Sequence, residues 1–222
     1  VKDRPALSMI VRAQERGDGT QVALERKDAA LLALLAIDGP TSRSRAAALL
    51  WPDAEPHKAR NSLRQRLFRL RRAAGCDVVD EGSALALAAD IVPDVASLRS
   101  LLTQDPSAIT GDLLGSFGYE DCAELDDWVR NTREHFRVQR RDTLAAAAAE
   151  DEAVGRIARA LVYAERLVSD EPLSEQAHRL LMRLHYRRGD RAAALAAYAR
   201  CEQWLRRELN ADPSAETREL AQ

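Results

Sequence analysis

The segment HKARNSLRQRLFRLRRAAG, residues 57–75, constrains the fold of this chain more than any other segment. At about 100° per residue, its apolar side chains fall on a single stripe of a helix. The members of this stripe are Ala59, Leu63, Leu67, Leu70 and Ala74. A helix with one apolar stripe has to bury it against other elements, so the segment predicts a helix packed on a small core.

The rest of this helix is strongly basic. The segment contains seven basic residues and no acidic residue, whereas the whole chain has a formal net charge of −2. The basic residues are Lys58, Arg60, Arg64, Arg66, Arg69, Arg71 and Arg72. A solvated helix face usually mixes charges, because opposite charges at i,i+4 attract and like charges repel. The unbalanced charge therefore favours a polyanion as the binding partner over plain solvation.

The residue types on the face opposite the stripe fit double-stranded DNA. This face carries, with Arg64 on its flank, Lys58, Asn61, Gln65, Phe68, Arg69 and Arg72. In the major groove arginine pairs with guanine, asparagine or glutamine pairs with adenine, and an apolar group contacts the thymine methyl.

Roles can be assigned to these residues within the DNA-binding hypothesis. Asn61, Arg64 and Gln65 would read bases, while Lys58, Arg69 and Arg72 would hold phosphates. Phe68 fits packing against a second domain equally well. A helical reader without aromatic platforms favours duplex DNA over RNA.

The segments before the basic helix predict a β-hairpin and two helices. Strand-like runs at 7–13 and 21–25 predict the hairpin. A helix that starts near Lys27 and includes Leu31, Leu34 and Leu35 on one face ends at Gly39-Pro40. Ser42 is a suitable N-cap for a second helix, which Pro52 ends.

The segment after the basic helix predicts a wing. Gly75 ends the helix, and residues 77–90 read as strand, turn and strand. Three helices followed by a two-stranded wing are typical of a winged helix-turn-helix, in which the third helix enters the major groove. The wing tip, residues 80–83, is acidic, which argues against a phosphate contact there.

The second half of the chain predicts stacked helical hairpins. Five helices are expected from about Ala123 onward. The sequence ALVYAER at 160–166 recurs as ALAAYAR at 194–200, an offset of 34 residues that is typical of tetratricopeptide repeats. The expected fold is therefore mainly α, with an N-terminal winged helix-turn-helix domain carrying small β-hairpins (1–102) and an all-α tetratricopeptide-like domain (112–222). A further short helix is expected at 94–102.

No catalytic or cofactor-binding motif occurs in the sequence. It has no Walker loop, GxGxxG, GxSxG, HExxH or CxxC, so we expect neither an enzyme nor a bound cofactor. His178 and His185 share a helix face, but no third ligand lies at a useful spacing, which favours packing over metal binding. The acidic run at 119–127 is interpreted as the solvated start of a helix rather than as a cation site. Trp128 is expected to begin the buried stripe of that helix.

The composition predicts a cytoplasmic protein without a membrane partner. Three widely spaced cysteines, Cys76, Cys122 and Cys201, are expected to be free thiols. No apolar run approaches the ~20 residues that span a bilayer. The sequence starts without an initiator methionine and ends just inside its last predicted helix, so we expect it to be the N-terminal region of a larger regulator.

Several stretches resemble the Streptomyces antibiotic regulatory protein (SARP) family. Residues 24–102, from LERKDAALLALLA through ALLWPD and ARNSLRQRLFRLRRAAG to VASLRSLL, are similar to the OmpR-like winged-helix domain of that family. Residues 112–222 resemble its bacterial transcriptional activator domain, most specifically in AHRLLMRLHYRRGDRAAALAAY and the closing DPSAET. The resemblance implies a transcription factor, usually an activator, that binds promoter DNA through its winged helix.

The resemblance also implies partners. The helical domain would mediate dimerisation or regulation, so a homodimer through this domain is expected. The loop at 51–58, WPDAEPHK, corresponds to the place where relatives contact RNA polymerase. The alternative is a protein-interaction adaptor in which the helical domain binds a partner and the winged helix is not functional.

Overall fold

The computed structural model describes residues 24–93, 104, 112–115 and 117–222. The predicted hairpin at 7–13 and 21–25, apart from Leu24 and Glu25, and the predicted helix at 94–102 lie outside these residues. The chain forms two compact units. Unit 1 comprises Val1–Leu98 and Thr110–Phe136, and unit 2 comprises Arg99–Ile109 and Arg137–Gln222.

Three helices open the described part of unit 1 and confirm the three predicted helices. They are α1 (Arg26–Ile37), α2 (Arg43–Leu50) and α3 (Pro56–Ala74). The Ser42 hydroxyl accepts a hydrogen bond from the Arg45 amide at 3.2 Å, which caps α2 as the sequence predicts. Gly75 ends α3 in the left-handed conformation (φ 69°), which a residue without a Cβ adopts at little cost.

A two-stranded wing follows α3. Strands β1 (Val79–Glu81) and β2 (Leu85–Leu87) are antiparallel, with Val79 opposite Leu87 and Glu81 opposite Leu85. Leu85 also exchanges two backbone hydrogen bonds of 2.8 Å with Thr41, which lies just before α2. The wing is therefore hydrogen-bonded directly to the turn between the first two helices.

Helix α1 is buried on all sides, which the prediction of one apolar face did not anticipate. Eight consecutive residues, 28 to 35, are buried. One side of α1 faces the core that it shares with α2, α3 and the wing. Because residues 113–129 contribute apolar side chains to the same core, they cover a further side.

We call residues 118–128 the strap, because hydrogen bonds fix them at both ends of α1. The Tyr119 hydroxyl donates to the backbone carbonyl of Arg26 at 2.8 Å, at the start of α1. Trp128 Nε1 donates to Asp38 Oδ2 at 3.0 Å, just beyond its end. The predicted burial of Trp128 is thus realised only in part, since its ring is half-buried against the core of unit 1.

The acids of the strap are mostly exposed at the start of a helix, as the sequence predicts, and several of them form ion pairs. Asp121 lies 2.7 Å from a guanidinium nitrogen of Arg26, and Glu124 pairs with Arg45. This pairing lowers the pKa of Asp121, chiefly through the hydrogen bond from Arg26. The start of the next helix is therefore tied to α1 and α2 by charge as well as by apolar packing.

Five helices follow, in agreement with the predicted number. They are α4 (Ala123–Ala153), α5 (Ile157–Asp170), α6 (Glu175–Arg187), α7 (Arg191–Leu209) and α8 (Ala215–Leu220). Their lengths differ widely, from 31 residues in α4 to six in α8. The division between the two units falls inside α4, between Phe136 and Arg137.

Unit 2 contains the predicted helical repeat. Helix α5 packs on α6, and α6 packs on α7 and α8. Helices α5 and α7 begin 34 residues apart, and three pairs of residues at this offset are buried in both copies. These pairs are Ala160 with Ala194, Tyr163 with Ala197, and Leu167 with Cys201. The predicted fold class, mainly α with a small β-hairpin in its first part, is confirmed.

The closing motif DPSAET docks the last helix onto α6. The Ser214 hydroxyl and amide both donate to Glu175 Oε2, at 2.7 and 2.9 Å, and buried Thr217 donates to the same oxygen. Burial alone would raise the pKa of Glu175, but these hydrogen bonds lower it below its usual range. Ser214 also caps α8. The motif therefore ends the repeat with a hydrogen-bonded cap.

Candidate nucleic-acid interface

Helix α3 presents its two faces as the sequence predicts. Ala59, Leu63, Leu67 and Leu70 are buried in the core of unit 1, and Ala74 is half-buried against it. Pro56 occupies the first turn, where its missing amide hydrogen has no consequence. Since the apolar stripe fixes the rotation of α3, the opposite face points to solvent.

All seven residues predicted to contact DNA are exposed on α3. They are Lys58, Asn61, Arg64, Gln65, Phe68, Arg69 and Arg72. Phe68 is 65% exposed, and its alternative role in packing against a second domain stays a prediction. Its exposed ring is available to a partner.

The positive charge of α3 is partly neutralised by acids from outside the helix, which corrects the picture of seven unopposed cations. Lys58 lies 3.6 Å from Glu55, and Arg71 lies 2.8 Å from Asp77. Arg66 pairs with two carboxylates of the α1 region. Within the described part of the chain, the remaining four have no ion-pair partner: Arg60, Arg64, Arg69 and Arg72. Arg60 was not among the predicted contacts and joins them as an exposed arginine beside Arg64.

Arg66 anchors α3 to the α1 region instead of facing solvent. Its guanidinium binds Glu25 and lies 3.3 Å from Asp28 Oδ2. Burial raises the pKa of Asp28 above its usual range, and the attraction of Arg66 only partly opposes this effect. The other carboxylate oxygen of Asp28 is buried without a hydrogen-bond partner in the described residues. A signal for this role exists in the sequence, because Arg66 lies at the edge of the apolar stripe, three residues after Leu63 and four before Leu70.

Replacing Arg66 by methionine is expected to destabilise unit 1 by about 2–3 kcal/mol at neutral pH, because a buried carboxylate loses its counter-ion. Removal of Arg66 raises the pKa of Asp28 further, so the folded state binds a proton more readily than the unfolded state. The loss is therefore fully present above the folded pKa of Asp28 in the variant and shrinks as the pH falls towards the folded pKa of Asp28 in the wild type, since the unfolded state is the same in both. Urea unfolding at several pH values measures it.

Arg64→Met is the matched control for this test. Arg64 lies two residues earlier on the same helix, is exposed and has no carboxylate partner in the described residues. Its replacement is expected to change the unfolding free energy by no more than ~0.5 kcal/mol. Equal losses for both variants, or a loss for Arg66→Met that does not change with pH, would contradict the anchoring role.

The wing tip is held by Arg43, the first residue of α2. Its guanidinium donates to the backbone carbonyl of Gly82 at 2.9 Å and to that of Glu81 at 2.6 Å. It also lies 3.6 Å from the Glu81 carboxylate. Asp80 and Glu81 remain exposed at the tip. The expectation that this wing avoids phosphates follows from their charge and stays a prediction.

The turn between α2 and α3 is contacted by a side chain of α1. Lys27 Nζ donates to the carbonyl of Leu50 and lies 5.2 Å from the centre of the Trp51 ring. Asp53 and Glu55 are exposed in this turn. Sequence reasoning did not identify Lys27, because its partners are more than 20 residues away and no local pattern marks them.

The two histidines considered as a metal pair are buried in α6. His178 Nε2 lies 3.0 Å from the carbonyl of Pro172, and burial lowers the pKa of this imidazole. His185 lies 3.4 Å from Arg188. The described residues contain no group of three or more side chains suited to a metal ion. None of the helices in the described part of the chain is long and apolar enough to cross a bilayer.

A winged helix-turn-helix unit with a basic exposed helix, followed by stacked helical hairpins, defines the class of helix-turn-helix transcription regulators with a helical repeat domain. Residues 111–222 match the family model of the bacterial transcriptional activator domain. The chain therefore belongs to the bacterial transcriptional activator domain family. The predicted resemblance to SARP-type transcription regulators is confirmed.

Two similar proteins support this assignment. The chain is 29% identical over 230 residues to the regulatory protein AfsR of Streptomyces griseus, covering 96% of this chain and 23% of AfsR. The solved structure of Mycobacterium tuberculosis EmbR in complex with a low-affinity phosphopeptide shares the fold, with a TM-score of 0.58 and 22% identity. That match covers 92% of this chain and 60% of the EmbR chain. The chain thus spans less than two thirds of either relative.

Proposed function

We propose that this protein binds duplex promoter DNA through α3 in a sequence-specific manner and activates transcription. The observation that carries the proposal is the exposed face of α3, which offers arginines without ion-pair partners in the described residues next to Asn61 and Gln65. These are the side chains that recognise guanine and adenine in the major groove. Membership of a transcriptional activator family supports the same function.

Each residue of the face has a proposed role. Asn61, Arg64 and Gln65 read base edges, because they lie in the first half of α3, and N-terminal residues of a recognition helix contact bases. Lys58, Arg69 and Arg72 hold phosphates. Phe68 contacts a thymine methyl group. The protein needs no cofactor and no catalytic group for this function.

Two protein partners complete the proposal. RNA polymerase contacts the turn at 51–58, where Asp53 and Glu55 are exposed. A second copy of the chain binds through unit 2, which exposes the apolar side chains of Val162, Leu195 and Leu209. Light scattering at high concentration is expected to show a dimer, and a monodisperse monomer would exclude this interface.

Fluorescence anisotropy with duplex DNA tests the DNA-binding function. The protein is titrated into a random duplex pool and into duplexes selected from that pool, each at two salt concentrations. Selected duplexes should bind more tightly. Affinity should fall steeply with salt, by about 0.9 logarithmic units per tenfold rise in salt concentration for each phosphate contact. Duplex RNA of equal length is the control and should bind more weakly, because its deep, narrow major groove does not admit a helix. No binding to any duplex at low salt would favour the adaptor function instead.

A further inference from the structure

The carbonyl of Leu50 lies at the point where the chain leaves α2 and turns towards α3. The last four carbonyls of a helix have no partner within the helix. Two side chains from outside α2 donate to this carbonyl. One is Lys27 Nζ from α1, and the other is Cys122 Sγ from the strap, at 3.5 Å. The end of α2 is therefore held by two segments that are distant in sequence.

Lys27 connects this carbonyl to the turn and to the strap. Its ammonium lies 5.2 Å from the centre of the Trp51 ring, within the range of a cation–π interaction. It also lies 3.8 Å from Asp121 Oδ2, and its side chain is only 16% exposed. A single, partly buried ammonium group thus contacts the end of α2, the first residue of the turn and an acid of the strap.

The backbone hydrogen bonds of the turn are local. Among the described residues, the Ala54 amide bonds to the Trp51 carbonyl at 3.2 Å, and the Ala59 amide bonds to Glu55 at 3.0 Å. These bonds shape the turn but do not fix it relative to α1. Contacts from Lys27 to Leu50 and Trp51 help to do so, beside the Cys122 contact and the packing of Trp51 and Ala54 against the core, since α1 is embedded in that core.

The strap is itself fixed to α1 by burial and hydrogen bonds, so that it can position a counter-ion for Lys27. Tyr119 is fully buried, and burial raises its pKa to about 12. Arg26 donates to the carbonyl of Gly118 at 2.8 Å and to Asp121 at 2.7 Å. Asp121 is therefore positioned by Arg26 as a counter-ion that Lys27 shares.

We propose that Lys27 is a positioning residue for DNA binding: it clamps the end of α2 and Trp51, with Asp121 as its counter-ion, and so fixes the turn from which the recognition helix leaves. This inference rests on the proposed function of α3. The strap lies within the match to the activator family (111–222) but belongs to unit 1. The first part of the segment that matches the activator family thus supports DNA binding by unit 1.

The test compares variants of the full chain in two measurements, one of which needs no DNA. Lys27→Met removes the charge and the donor but keeps the aliphatic chain, and Lys27→Arg restores both. Val129→Ala is the matched control, because it removes buried methyl groups from the same core but keeps the charge and the donor of Lys27. All binding is measured at a temperature at which every variant is fully folded, so that lost stability alone does not change the affinity.

Hydrogen exchange of residues 51–58 reports the clamp directly. Lys27→Met is expected to speed exchange in this segment, Lys27→Arg to restore most of the protection, and Val129→Ala to leave the segment unchanged. Asp121→Asn, a milder change at a half-exposed side chain, should give a smaller effect in the same direction. Equal exchange in Lys27→Met and the wild type would overturn the clamp.

DNA affinity then reports its consequence. Lys27→Met is expected to bind duplex DNA about tenfold more weakly, equivalent to ~1.4 kcal/mol, with recovery in Lys27→Arg and no loss in Val129→Ala. If the wild type binds DNA and Lys27→Met binds equally well, the positioning role is wrong while the proposed function stands. If the wild type binds no DNA, both the proposed function and the positioning role are wrong. The exchange data still decide whether the clamp exists.

Discussion

The double replacement of Arg64 and Arg69 by alanine is expected to weaken binding to duplex DNA by roughly a hundredfold. This is the size of effect that the loss of one base contact and one phosphate contact should have. Both side chains are exposed on α3 and have no ion-pair partner in the described residues. The double variant breaks no ion pair among the described residues and loses only the attraction of Arg69 for Asp28, so the unfolding free energy should change little. The slope of log affinity against log salt should fall by about 1, because the Arg69 phosphate contact is lost.

The matched control for this double variant removes the same charge elsewhere. Arg191→Ala with Arg218→Ala deletes two exposed arginines from α7 and α8 in unit 2. If α3 is the reader, this control should retain nearly all of the affinity. A loss of equal size in both double variants would mean that net charge, and not the face of α3, governs binding. Unchanged binding in the α3 variant would exclude this helix as the interface.

Replacing Leu63 by alanine is expected to lower the unfolding free energy of unit 1 by about 2–5 kcal/mol, the range for truncating a buried leucine. Leu63 is 2% exposed in the middle of the apolar stripe, where α3 packs against α2 and the α1 core. This loss is a large fraction of the total stability of a domain, which is typically only about 5–15 kcal/mol. Urea unfolding followed by tryptophan fluorescence measures it, since Trp51 and Trp128 both lie in unit 1.

Phe68→Ala is the control on the same helix. It removes a larger side chain, but one that is 65% exposed on the opposite face. Its effect on stability should stay within ~0.5 kcal/mol, while DNA affinity should fall. The two variants thus separate the face that holds the fold from the face that contacts DNA. A larger stability loss for Phe68→Ala than for Leu63→Ala would reverse the assignment of the two faces.

The parts of the fold that were predictable are those governed by local sequence. The apolar stripe of α3 gave its rotation, because helical periodicity alone decides which side chains share a face. Ser42 and Gly75 marked helix ends by their side-chain and backbone preferences. The 34-residue offset located α5 and α7, because a repeat buries equivalent positions in each copy.

The candidate site divides in the same way. Exposure of Asn61, Arg64 and Phe68 followed from the stripe on the other side of the helix. The roles of Arg66 and Lys27 did not, because each depends on partners that lie 23 to 94 residues away along the chain. A basic residue in the sequence does not show whether a carboxylate will lie beside it.

The sequence by itself determined the helices, the wing, the repeat and the solvent-facing side of α3, because periodicity, capping and turn preferences act over a few residues. Only the tertiary structure decided which cations remain available and what covers α1. Those outcomes depend on contacts such as Tyr119 with Arg26 and Trp128 with Asp38, 93 and 90 residues apart. Burial and ion pairing depend on the position of the whole chain in space, and no local pattern carries that information.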